Sequence, residues 1–332
     1  MPLPLRLAPF CGHVRAPGAS EFMCRAEFQD PSITETSGGE PMSERIARRL
    51  AAIQTASATN RPPGALPDRP LSGDPQPYNR LHPAMYFAEL VGTALLVAIV
   101  LSIIISLWGK GAPFAGLPIS PSARRLLNGF LAGSIGAAIA YSPIGKISGA
   151  HINPAMTFAF WLHGKMCWRD AGCYVIAQLV GCTLGAVPVL IWGNIGASNA
   201  WGASLPATTQ PILYAVCGEI ACTFSLVTLV FLFAGRPALQ PFTPLINPPL
   251  FAVLSWLEAP ISGASANPAR SLAPELVAWA WSGWWVYWVG PAAGAALAVA
   301  ALHWGLLGPH RPHQARVCHF GNPGGMAAKP PD

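Results

Sequence analysis

The sequence predicts an all-α membrane protein with six transmembrane helices and two shorter re-entrant helices, built as an inverted repeat. Three observations carry this. The ten residues Ser148 to Thr157 read SGAHINPAMT and Ser262 to Ser271 read SGASANPARS, so one uncommon motif occurs twice, 114 positions apart. The chain around them is 52% hydrophobic and only 10% charged, and nine of its 20 Lys and Arg and eight of its 14 acidic residues precede His82. From Pro83 onward, apolar runs recur at the roughly 17 to 25 residues needed to cross about 30 Å of hydrocarbon.

Taken in order, residues 1–82 are rich in Pro, Ser, Gly and Arg and hold no apolar run long enough for a signal peptide or a span. They are expected to form a disordered tail, with 43–54 (SERIARRLAAIQ) its one helical candidate and Met42 an alternative internal start. The membrane part is expected over 83–308, with spans at 84–108, 124–142, 171–194, 212–234, 242–258 and 284–307. A second tail follows over 309–332. Between the second and third spans, and again between the fifth and sixth, an Asn precedes a Pro and an apolar stretch. Asn caps exposed amides and Pro suits the first turn, so helices are predicted over 154–163 and 268–279. Both are too short to cross. Irregular backbone at membrane depth survives only where protein or a water-filled cavity satisfies it, so two such segments predict a lined pore. In the fifth span, Asn247-Pro248-Pro249 predicts a kink.

The repetition extends beyond the motifs. AELVGT from Ala88 is echoed by GEIACT from Gly218, matching Glu89 with Glu219. A looser echo sets VIAQLVGCTLGA from Val175 against VYWVGPAAGAAL from Val286. Three spans plus a half-helix, duplicated, enter the membrane from opposite faces and put the site near the midplane. Lys146, Lys165, Arg169, Arg236, Arg311, Arg316 and Lys329 share a side with the arginine-bearing tail, which predicts cytoplasmic termini. Trp279, Trp281, Trp284, Trp285 and Trp288 are expected in the outer interfacial belt.

The formal +6 charge is no sign of nucleic acid binding, because the basic residues after His82 are scattered and form no stripe along which a phosphate backbone runs. The eight cysteines lack the paired spacing of a zinc site, so no metal is expected, and their count carries no information on disulfides or redox compartment.

Through both Asn-Pro-Ala boxes and the paired Glu helices, residues 83–308 resemble the aquaporin or major intrinsic protein family. The resemblance implies a passive channel for water or small uncharged solutes, without cofactors, lodged in membrane lipid as a homotetramer with one pore per subunit. A cell membrane is the expected location. The half-helices are expected to abut through Pro154, Ala155, Pro268 and Ala269, aiming the amides of Asn153 and Asn267 into one constriction. Their side-chain oxygens cap the helices and their amide nitrogens are expected to face the lumen. By the same resemblance Arg270 takes the position of the family's filter arginine, with Gly133, Ser255 and Ala264 as companions. All three are small, like the wide filters of plant nodulin-26-like channels associated with silicic acid, boric acid, arsenite or urea. Two positions point toward a strict water channel instead: Ser271 stands where glycerol facilitators generally place Asp, and Tyr287-Trp288 is aquaporin-like. Glu89 and Glu219 are expected to accept hydrogen bonds from the re-entrant loops, with His151 among the supporting groups. A coupled secondary carrier is the remoter alternative, and intramembrane catalysis by the two acids remoter still.

Overall fold

The computed structural model of the chain describes residues 81–306 and 315–317, and within them all regular structure is helical, without strands. The expectation of a disordered tail over 1–82 falls almost wholly outside these residues. The helices are α1 (Pro83–Trp108), α2 (Pro121–Tyr141), α3 (Pro143–Ser148), α4 (Pro154–Leu162), α5 (Trp168–Ala186), α6 (Gly193–Ala197), α7 (Ile212–Ala234), α8 (Asn247–Leu257), α9 (Pro268–Ala278) and α10 (Val286–His303). Three short 3-10 segments join them, at Pro188–Trp192, Ala200–Gly202 and Gln240–Ile246. Proline at the first positions of α1 to α4 starts each helix where a missing amide costs nothing.

Among the described residues, four segments are long and apolar enough to cross a membrane: Pro83–Trp108, Trp168–Ala197, Ile212–Ala234 and Val286–His303. The other two expected spans depart for identifiable reasons. With 21 residues α2 has the length, but Arg124, Arg125 and Asn128 dilute its apolarity. The fifth span is a composite, since α8 has only 11 residues and continues a 3-10 segment containing Pro241 and Pro244. Pro248 and Pro249 lie in the first turn of α8, so the expected mid-helix kink is a junction where the prolines forfeit no helix hydrogen bond. These two less apolar elements pack along each other.

The inverted repeat is visible in how the elements pair. In the first copy α1 packs on α5, and in the second α7 packs on α10. Each half-helix then crosses to the other copy: α4 rests on α10, and α9 on α5. Small residues allow the close approach. A Cβ on Gly181 or Gly185 would lie 2.3 Å from the carbonyl oxygen of Leu90 or Ala94, and one on Gly294 would lie 2.5 Å from that of Ile220. This corrects the repeat register. Gly181 matches Gly294 and Tyr174 matches Tyr287, two positions away from the alignment of Val175 with Val286. Small residues recur along both segments, so the sequence echo is degenerate, whereas helix packing fixes a single offset.

The largest buried apolar cluster, with Met156, Phe160, Phe231, Leu226 and Leu302, lies where α4, α7 and α10 meet. Arg316, expected as a topology marker on the side of Lys146, has a packing role that the sequence did not indicate. It is 2% exposed and packs beside α3, on the same side as Lys146.

Candidate functional site

Each re-entrant loop is an irregular strand of backbone that must satisfy its own amides away from water. Ala150 and Ile152 in the first loop, and Ala264 and Ala266 in the second, hold left-handed backbone with φ of 55°, 41°, 51° and 50°. Such angles are costly for residues with a Cβ, most of all for β-branched Ile152, and persist only where the surroundings over-determine them. The surroundings are two buried carboxylates. Glu89 accepts from the backbone N–H of His151 at 2.9 Å and of Ile152 at 2.6 Å. Glu219 accepts from Ser265 and Ala266, both at 2.8 Å. Each acid has a further donor: Gln178 Nε2 on Glu89 at 2.7 Å, and Ser262 Oγ on Glu219 at 2.6 Å.

Two tyrosines buttress the same loops, and sequence reasoning missed their role. Tyr174 Oη donates to the carbonyl of Ser148 at 2.7 Å, and Tyr287 Oη donates to that of Ser262 at 2.6 Å. A recurrence of Tyr at nearly the spacing of the two motifs was the available signal.

Asn153 and Asn267 cap α4 and α9. The Asn153 Oδ1 accepts from Ala155 N at 2.9 Å, and the Asn267 Oδ1 accepts from Ala269 N at 3.0 Å. Their amide nitrogens differ from expectation. Asn153 Nδ2 donates to the Ala266 carbonyl at 2.8 Å, and Asn267 Nδ2 donates to the Ile152 carbonyl at 3.0 Å. Each Asn therefore ties its loop to the opposite one and commits one of its two N–H groups, leaving the second for the lumen. The reason is that both loops carry carbonyls turned toward the centre, where the half-helix tips meet.

One cavity of about 110 Å³, room for several water molecules, brings these groups together. Asn153, Asn267, Arg270, Ser255, Ala264 and Gly133 all line it, and His151 lines it as well. Leu96, Val100 and Ile104 of α1 and Phe251 of α8 add apolar lining. Arg270 Nη1 donates to Ser204 Oγ, in the loop ahead of α7, a partner the sequence did not indicate. Gly133 lines the lumen from the α2–α8 contact, where a Cβ would lie 2.3 Å from the Asn247 carbonyl oxygen. The neighbour of Ser255 on α2 is Gly129, one turn nearer the start of that helix. Asn128 and Asn247 add polar groups to the α2–α8 wall, each with an amide oxygen that has no hydrogen-bond partner.

His151 stacks on Phe160 with ring centroids 4.6 Å apart, and its Nδ1 lies 3.1 Å from Thr157 Oγ1. Its Nε2 is 3.0 Å from the Ala315 carbonyl, which fixes that nitrogen as the donor. Among the described residues no cluster of His, Cys, Asp or Glu is arranged to hold a metal, and the five cysteines are free.

An inverted repeat with two half-helices tip to tip beside one cavity defines a class of helical membrane fold. Comparison with known proteins says which kind. Residues 82–302 match the family model for the major intrinsic protein. The chain belongs to the major intrinsic protein family. It is 30% identical over 247 residues to the lens fiber major intrinsic protein of Gallus gallus, covering 72% of this chain and 91% of that one. It is 36% identical to a probable aquaporin TIP3-2 of Arabidopsis thaliana and to the aquaporin NIP1-1 of Zea mays, spanning 57% and 53% of their lengths. The X-ray structure of the aquaglyceroporin from Plasmodium falciparum superimposes with a TM-score of 0.52 at 18% identity, over 67% of this chain and 95% of that one, a likeness of fold. The chain thus spans little more than half the length of those two plant aquaporins.

Proposed function

We propose that the chain passes water and small uncharged solutes such as glycerol, urea or metalloid acids passively, and rejects protons and ions. It does so in the cell membrane as a homotetramer with both termini cytoplasmic. The observation that carries the reading is the reciprocal Asn pair: Asn153 and Asn267 line one cavity and each keeps one N–H beyond its bond to the opposite loop. A water whose oxygen accepts from both turns its hydrogens away along the pore, which breaks a proton wire. The positive ends of α4 and α9 converge on the same point, and Arg270 adds a full charge, so cations meet a barrier. Ala264 and Ser255 are small and leave the filter wide, and a lining that mixes apolar and polar groups suits a solute with a carbon edge and a hydroxyl or amide edge.

Light scattering on reconstituted vesicles tests this with water, glycerol, urea and arsenite in one panel. Uptake linear in gradient and indifferent to proton or sodium gradients is expected, whereas saturating, ion-coupled uptake contradicts it. A panel in which water alone passes supports the strict water channel instead. The filter is probed best at Ala264, since Gly133 has no room for any side chain. Ala264→Phe is expected to cut glycerol and urea uptake roughly tenfold or more while water flux falls less. Equal loss of all solutes contradicts a steric filter there.

A further inference from the structure

The pore mouth bounded by α3 and the first re-entrant loop already has an occupant. Ala315, Arg316 and Val317 are 3%, 2% and 4% exposed, far more buried than a solvated tail would be. Val317 N donates to the Gly149 carbonyl at 2.9 Å, and the Ala315 carbonyl accepts from His151 Nε2 at 3.0 Å. Arg316 Nη1 donates to the Lys146 carbonyl at 2.8 Å, and Nη2 reaches that of Ile147 at 3.4 Å. Those two carbonyls belong to the last turn of α3, where a helix has no internal donors left and carries its negative pole, a natural seat for a guanidinium. Gly149, at φ 89°, makes the room: a Cβ there would lie 2.8 Å from Arg316 Cγ. Val317 also stands in the cavity wall beside Ala140, Ala150 and His151.

We propose that α3 and the first re-entrant loop form a docking site for the chain's own C-terminal segment Ala315–Val317, and that the docked segment closes the pore from this side. The proposal rests on the channel reading above. A few hydrogen bonds hold a segment that loses backbone freedom when it docks, so the two contributions nearly offset and the open state keeps a measurable population. Arg316 supplies the only side chain of the segment known to bond the mouth, and losing it shifts that balance toward open.

The test compares osmotic water flux per reconstituted channel for the full chain, a chain ending at Pro309, and full-length Arg316→Ala. The truncated chain keeps α10 whole and is expected to conduct roughly five- to tenfold faster, the ratio for a segment docked most of the time. Arg316→Ala is expected to move in the same direction, and it decides the matter alone if the truncated chain does not fold. Loss of packing without a plug gives no gain of flux. Equal flux from all three overturns the docking proposal and leaves the channel reading standing. Flux no greater than that of empty vesicles from every chain overturns both.

Discussion

The two re-entrant loops are near copies in what holds them and unlike in what they present to the lumen. In both, a buried Glu accepts two successive backbone N–H groups, a Tyr donates to the Ser carbonyl at the loop start, and an Asn caps one helix while bonding the opposite loop. Three residues after each Asn the copies diverge: Met156 lines the cavity from the first loop and Arg270 from the second. Two residues before it, His151 stands against Ser265. The lesson is a division along the chain, in which the shared residues hold the backbone and the unshared ones give the cavity lining its asymmetry.

That division is broken first at its support. Glu89→Ala and Glu219→Ala each orphan two buried N–H groups at about 1–3 kcal/mol apiece, so both are expected to lower stability by about 2–6 kcal/mol. Thermal unfolding in detergent reads this, and a large loss for one variant with none for the other ends the claim of equivalence. The unshared side is sharpened by Arg270→Met, which gives the second loop its counterpart's residue. A unit charge about 4 Å from an ion is worth about 4 kcal/mol at an effective dielectric near 20, so cation leak in vesicles should rise roughly tenfold or more. Stability should change far less than in the Glu variants. Unchanged ionic conductance contradicts an electrostatic role for Arg270.

The parts legible in the sequence are those that local rules decide. Asn-Pro at a helix start, apolar run length and duplicated Glu placed the half-helices within a residue or so of Pro154–Leu162 and Pro268–Ala278. What stayed hidden depends on contacts between distant segments. The bond from each Asn amide to the other loop, the Ser204 partner of Arg270 and the seating of Arg316 on α3 all join residues more than sixty positions apart. The register of the third and sixth spans escaped because small residues recur along both, and a one-dimensional echo cannot choose among near-equal offsets. Span five misled for a different reason: prolines read as a kink when their place relative to the helix start is unknown, and here they open α8.

Water and proton flux recorded on the same reconstituted vesicles bear most directly on whether two amides from opposite leaflets share one lumen. Water flux well above that of empty vesicles, with proton flux no higher than theirs, is the predicted result. Proton conductance rising in step with water would mean that an unbroken file of hydrogen bonds runs past Asn153 and Asn267.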